Sequence, residues 1–388
     1  MVEMTSRERV LQTIEHREPD RVPVDFGNRC WTIVNAPPYG YKTLCEYLDI
    51  SDYPQPKIVY LMNIVANVDE RILRKFNADI RNLGGGGLGV EKLPDGTLRD
   101  LDNHGIIYKP AGPYFSVPDT LAPLRNAISE KDIEEYPFWS DYRNPVYVKG
   151  KEEEAKYLHQ HTDYAISTWV PNVFHRYAFV RGFNNFMLDM RINVNFFKAL
   201  ANKILEASKT FVVEFLGGVG KYIDIVCIGD DMGTQSQPFM SLQDFRKYIK
   251  PYWAELIREI KKYTEAKILL HCCGSIYPLI NDIIEVGFDV LNPIQPLAYQ
   301  MEPERLKKDF GDRISFLGGI DIQRLLPFGT PDEIKQGVRK VIDILAPGGG
   351  YILAPSHNIE PETPPQNIVA MYEAAKEFGT YPIKVKGS

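Results

Sequence analysis

Between residues 164 and 354 the chain repeats one pattern. A short apolar run is followed by a stretch of helical period, and then by another apolar run. The runs are Tyr164–Val170, Ile223–Ile228, Ile268–His271, Asp289–Ile294, Ile314–Leu317 and Tyr351–Ala354, with helical patterns at 191–216, 241–264, 276–286, 303–309 and 331–345. Strands read as continuous apolar runs when a parallel sheet is covered on both faces, and parallel neighbours need a crossover helix. The alternation therefore predicts parallel βα units. Two earlier extended segments, near 22–26 and 79–82, raise the strand count to that of a closed α/β barrel, a (β/α)8 TIM barrel spanning 1–388 as one domain. An open doubly wound sheet fits less well, because no GxGxxG opens a helix after a strand.

The barrel units proper occupy 151–380. Residues 1–78 read as a largely helical N-terminal extension. In 4–16, Thr5 and Glu8 form a capping box ahead of Val10, Leu11 and Ile14 at helical spacing. REPDRVPVDF at 17–26 is an extended connector, and 42–50 and 59–78 carry helical patterns. Residues 79–150 change texture: GGGGLG at 84–89 and PDG at 94–96 punctuate short alternating runs, predicting a β-hairpin insertion. Gly84–Gly87 lacks the following helix that a phosphate loop requires.

Charge narrows the function. Lys plus Arg number 45 against 51 Asp plus Glu, a net −6, which argues against a nucleic-acid groove. No apolar run approaches the roughly 18 residues that span a bilayer. Charged Met1–Val10 has no apolar signal core, so a cytoplasmic location is expected. Five cysteines are too few and too dispersed for a disulfide scaffold. Cys30, Cys45 and Cys227 read as small buried hydrophobes, leaving adjacent Cys272 and Cys273 as the chemical question.

In a barrel of this kind the active site forms where the strands end. The residues just past the apolar runs are Asp230 and Asp231; His271, Cys272 and Cys273; Gln295; Asp321; and His357 with Asn358. His271 and Cys273 are two apart, so on a strand they face the same side while Cys272 faces the other. Both suit zinc. With His357 from another strand end they supply three ligands and leave a fourth position open, the catalytic arrangement. The plainer reading is a strand-end histidine beside packed thiols. Asp230 and Asp231 are candidate catalytic carboxylates, of which at most one points into the mouth; a cap or turn is the alternative. Asp321 is explained by capping of the helix after it. His175, Gln295 and Asn358 are candidate substrate contacts, and His16, His104, His159 and His161 are expected at the surface.

The segments MTSRERVLQTIEHREPDRVPVDFG, GDDMGTQSQPFMSLQDFRKYIKPY, HCCGSI, FLGGID and GGGYILAPSHNIEPETPPQNIVAMYEA together resemble the uroporphyrinogen decarboxylase superfamily, from residue 4 to about 377. The resemblance implies a (β/α)8 barrel with an N-terminal extension. Decarboxylases of that superfamily carry an arginine-rich Arg-Gln-Ala-Gly-Arg run near the N-terminus. RVPVDFGNRCW keeps Arg21 and Arg29 but lacks the run. The cobamide-dependent methyltransferase branch carries His-x-Cys where this chain has His271 and Cys273. Its third ligand, commonly cysteine, falls in LAPSHN, where His357 stands instead, as in the decarboxylases' Gly-His-Gly region.

The resemblance thus implies a zinc-dependent methyltransferase. It would move methyl groups between a small donor, such as a methoxylated aromatic or methylamine, or a thiol, and a corrinoid carried by a partner protein. Uroporphyrinogen decarboxylation, with Asp230 or Asp231 stabilising a protonated pyrrole, is the first alternative. A non-catalytic barrel binding a tetrapyrrole or corrinoid is the second.

Overall fold

The computed structural model describes residues 3–28, 30–55, 58–59, 64–65, 67–112 and 114–383. Seven parallel strands form one sheet: β1 (Ile80–Leu83), β2 (Ala165–Trp169), β3 (Ile225–Gly229), β4 (Lys267–His271), β5 (Val290–Ile294), β6 (Ser315–Ile320) and β7 (Tyr351–Pro355), each beside its successor. The connector at 22–26 joins the two edges. Val24 bridges Leu353 of β7 in parallel, Asp25 N–H donates to Leu353 O, and on the other side Asp79 N–H donates to Val24 O. Pro23 has no N–H to give, so this eighth position is a bridge rather than a full strand. The ring is closed and the fold is the expected α/β barrel.

Side chains divide by the two-residue strand period. Ile80, Ala165, Ile225, Cys227, Leu269, Val290, Leu317, Ile352 and Ala354 pack together inside the ring, joined by Val10 and Ile14 of helix α1 (Ser6–Ile14). That helix starts on the expected capping box, with Thr5 and Glu8 reciprocally bonded. The alternate residues face the outer helices, which carry amphipathic faces such as Ile334, Val338, Ile342 and Leu345 at Pro331–Leu345. On β4 the inward series is Lys267, Leu269, His271, and the next step along it is Cys273.

The insertion is a four-stranded antiparallel sheet within residues 90–116, as its turn residues predict. Its inward residues Ile106 and Tyr108 join the main core together with Tyr142 and Tyr147, and this corrects the expectation for His104. That residue is fully buried, edge-on to Trp139 and Tyr142, and its Nδ1 accepts from Ser140 N–H at 3.2 Å. His161 is exposed, while His16 and His159 are half-buried.

The helix expected over 59–78 is confined to Glu70–Lys75, capped by Asp69, and Ile58–Val59 pairs with Ile64–Val65 in a short hairpin. β-branched residues favour extended backbone, which defeats the helical reading there. Residues 60–63 and 66 of that stretch, and Arg29, lie outside the described residues. The 191–216 pattern is broken at Asn193, between helices Phe183–Ile192 and Val194–Phe211. Among the described residues no helix is long and apolar enough to cross a membrane.

Candidate metal centre at the barrel mouth

His271 ends β4, and register places it level with Gly229 of β3 and Asn292 of β5. Two residues on, Cys273 Sγ lies 3.4 Å from His271 Nε2. His357 follows the last residues of β7, and one ligand atom from each of His271, Cys273 and His357 lies within 4.8 Å of the others. Burial, then the His271 ring, pushes the His357 pKa down to about 4. At neutral pH its imidazole is uncharged, the form that ligates a metal. Cys272, facing outward, is fully buried in the layer between sheet and helices.

Asn292, missed in the sequence, fixes the orientation of His271. Its amide nitrogen donates to Leu317 O at 3.1 Å, which leaves its oxygen facing His271 Nδ1 at 2.5 Å. That oxygen can only accept, so Nδ1 carries a proton and Nε2, 3.4 Å from Cys273 Sγ, is the nitrogen left to face a metal. The one available signal was a polar residue interrupting the apolar run VLNPI. A borderline-soft His–Cys–His donor set, with one ring already held in the ligating tautomer, fits zinc.

The paired aspartates separate cleanly. Asp230 is fully buried, and its carboxylate accepts from Phe174 N–H (3.0 Å), His175 N–H (2.8 Å) and Trp253 Nε1–H (3.0 Å). It caps the helix Phe174–Arg181 and anchors it to the barrel. Asp231 faces the mouth. It accepts from Cys273 N–H at 2.7 Å and lies 3.3 Å from His175 Nε2. Burial works against its charge, but His175 outweighs burial and holds the carboxylate well below its usual range. His175 is correspondingly held above the ordinary histidine value by Asp231, burial opposing. Its ring stacks on Phe179.

Gln295 does not reach into the open mouth alone; its side-chain oxygen accepts from Gly274 N–H at 2.6 Å and braces the HCCG turn. Gly274 has φ +89° and an added Cβ would sit 2.5 Å from Thr234 O, so this turn needs glycine. Asn358 accepts from Thr32 N–H at 3.0 Å, while its buried Nδ2 finds no partner among the described residues. Asp321 accepts from Gln323 N–H at 2.7 Å, the expected helix cap.

The N-terminal connector supplies the remaining wall. Trp31 and Trp169 flank His271 at ring distances of 6.4 and 6.2 Å. Trp31 is held by Asp25 (Nε1–H to Oδ2, 2.5 Å) and Trp169 by Asn28 (2.7 Å). Cys30 corrects a further expectation. It is half-buried rather than packed away, lying against the apolar ring interior beside Trp31 and Trp169.

The uroporphyrinogen decarboxylase (URO-D) family model matches residues 176–378, just over half of the chain. The chain belongs to the uroporphyrinogen decarboxylase family. Among relatives of this URO-D protein, methylcobamide:CoM methyltransferase MtaA of Methanosarcina barkeri is 28% identical over 155 residues, 40% of this chain and 42% of MtaA. The uroporphyrinogen decarboxylase of Prochlorococcus marinus (strain MIT 9515) is 26% identical over 195 residues, 48% and 53% of the two chains. A methylated-thiol–coenzyme M methyltransferase of Methanosarcina mazei is 26% identical over 179 residues, 46% and 44%. The matches thus span about half the length of these relatives. A solved methyltransferase from Methanosarcina mazei shares the fold, with TM-score 0.64 at 19% identity over 97% of this chain and 99% of that one.

Proposed function

We propose that this URO-D family protein is a zinc-dependent methyltransferase that moves a methyl group between a small substrate and a corrinoid held by a partner protein. The observation that carries the reading is the convergence of His271, Cys273 and His357 at the mouth of the barrel. Similarity to MtaA and to a methylated-thiol methyltransferase supports the same class. His271, Cys273 and His357 would hold the zinc, whose chemistry is that of a Lewis acid: it eases departure of an ether oxygen or amine, or acidifies a thiol.

The remaining steps belong to the chain. Asn292 holds His271 in its ligating tautomer. Asp231 holds the backbone of Cys273 and pairs with His175, and that pair stands ready to give or take a proton as the substrate heteroatom gains or loses charge. Asp230 places His175 by binding its backbone N–H. Trp31 and Trp169 exclude water from one side and offer an apolar wall to a methyl-bearing substrate. With one thiolate and two neutral imidazoles, the donor set leaves more positive charge than two thiolates would, favouring oxygen or nitrogen donors.

Uroporphyrinogen decarboxylation is the second reading, favoured by the family model itself. Against it stands Arg21, whose guanidinium is committed to Asp79 through two bonds of 2.8 Å and is not presented to a polycarboxylate.

Free cobalamin in place of the partner tests the proposal. Zinc-loaded protein is given cob(I)alamin with methoxylated aromatics, methylamines and methyl thioethers, and methylcobalamin is given with thiols in the reverse assay. Methyl transfer to or from cobalt, followed by absorbance and lost on chelation, is expected. Zinc-loaded protein that transfers no methyl group in either direction, with the partner protein also tried, would overturn the reading in favour of a non-catalytic barrel.

A further inference from the structure

Asn82, on β1, has no part in the site described above. Ile80 packs inside the ring, and the two-residue strand period makes Asn82 the next inward position. Its neighbours turn outward: Arg81 pairs with Glu70, and Leu83 is buried in the layer between sheet and helices. The interior of such a barrel is ordinarily packed with side chains. Asn82 is nevertheless exposed, although Ser167, its register partner on β2, is buried. Among the described residues none hydrogen-bonds its side-chain amide. A Cβ added at Gly84, just past the strand, would meet nothing within 4 Å. The mouth is open at β1, and an unspent amide stands in the opening.

This opening shares a rim with the metal centre. Trp169 ends β2, Gly229 ends β3 and His271 ends β4, while Asn82 stands one residue short of the end of β1. Gly229 has no side chain, and Trp169 leans over it: a Cβ added there would lie 3.2 Å from Trp169 Cζ3 and 3.8 Å from His271 Cβ. The partly exposed indole therefore reaches from the strand beside Asn82 toward the His271 ring, 6.2 Å away. From β1 to β4 the path around the sheet is about 14 Å. A substrate with its methyl-bearing heteroatom at the metal centre and a flat, apolar middle on Trp169 would present its far end to Asn82.

We propose that Asn82 is a specificity-determining residue, binding an uncharged hydrogen-bonding group (a hydroxyl or a carboxamide) at the end of the substrate remote from its methyl group. The inference rests on the methyl-transfer reading above for what stands at the metal end. An amide side chain offers both donors and an acceptor and carries no charge, so it satisfies a neutral group that both gives and takes hydrogen bonds. A carboxylate at that end would need a cation in exchange for its hydration. The neighbouring Arg81 does not supply one, because it faces outward and is committed to Glu70.

The test uses full-length, zinc-loaded protein with anisole, para-methoxyphenol, para-methoxybenzamide and para-methoxybenzoate. Binding is measured by calorimetry without any corrinoid, so that it reads the subsite apart from the chemistry. Wild-type protein should bind the phenol and the benzamide roughly tenfold more tightly than anisole or the benzoate. Asn82→Ala, a change at an exposed position, should lose that preference and bind anisole as before. In methyl transfer to cob(I)alamin the same variant should raise KM for the phenol and the benzamide and leave kcat unchanged. Equal wild-type affinities for all four compounds, a preference that survives in Asn82→Ala, or no binding of any of them overturns the inference. The stated preference without methyl transfer leaves the subsite standing and removes the methyl-transfer reading instead.

Discussion

The side-chain oxygen of Asn292 lies 2.5 Å from Nδ1 of His271, and the same amide is anchored through its nitrogen to Leu317 O. The histidine is thus aimed by the neighbouring strand before any metal arrives. Asn292→Leu removes the acceptor at similar volume and frees the ring to rotate or change tautomer. Zinc affinity, measured by competition with a chromophoric chelator, should fall roughly 10–100-fold. Asn292→Asp keeps an acceptor and should retain affinity within about tenfold of wild type. Equal loss in both variants would mean that packing, not orientation, is what Asn292 supplies.

Ligand substitutions should divide by side of the strand. Purified protein should hold about one zinc per chain. Cys273→Ala and His357→Ala should drop occupancy well below half, while Cys272→Ala, changed on the outward face, should keep the metal. Elemental analysis after dialysis reads all three. Full occupancy and unchanged affinity in His357→Ala would leave that residue a substrate contact.

Asp230 and Asp231 are adjacent in sequence and opposite in consequence. Asp230→Ala strands Phe174 N–H, His175 N–H and Trp253 Nε1–H in a buried setting, at about 1–3 kcal/mol for each donor left unsatisfied. Chemical denaturation should show a loss of about 3 kcal/mol or more. Asp231→Asn keeps an acceptor for Cys273 N–H and should cost less stability than Asp230→Ala, yet cut methyl transfer roughly 10–100-fold by loosening the Cys273 turn and His175. A reversed pattern would exchange the two roles.

The strand and helix alternation was legible because each run buries both faces, and period two then told Cys273 from Cys272. Which aspartate faces the mouth was not legible. That depends on how the helix after β2 docks on the end of β3, a contact more than fifty residues away. Asn292 was hidden inside an apolar run whose polar member looked incidental. Cys30 was hidden for a different reason: residues 32–34 pair with Asn358 and Ile359 across the whole chain, so nothing local to GNRCW announces its neighbours. His104 was misplaced because the residues that cover it, Trp139 and Tyr142, lie some 35 residues downstream, while charged residues surround it in sequence.

The closure of the barrel depends on Asp79, fully buried just ahead of β1. It accepts from Arg9, Arg21, Ser6 Oγ and Val24 N–H at 2.7–2.9 Å, tying α1 and the connector to the first strand. Asp79→Ala leaves Arg9, itself nearly buried, without its partner. A loss of about 3–5 kcal/mol in urea denaturation is expected, because removing one member of a buried ionic network strands the other. A cost of about 1 kcal/mol or less would mean that Asp20 alone suffices to hold Arg9.

The protein should not decarboxylate uroporphyrinogen at an enzymatic rate. Eight carboxylates entering a pocket lose their hydration and need fixed cations in exchange. Arg21, one of the arginines retained near the N-terminus, spends its guanidinium on Asp79, and Arg9 spends its own on Asp20 and Asp79. The mouth is instead lined by His271, His357, Trp31 and Trp169, which suit a small, weakly charged substrate. Anaerobic incubation with uroporphyrinogen, with products oxidised to porphyrins and resolved by chromatography, should show no loss of carboxyl groups above the uncatalysed background. Turnover within the usual enzymatic span of roughly 1–1000 per second would instead make this a decarboxylase. It would also require the polycarboxylate to be gripped by cations other than Arg9 and Arg21.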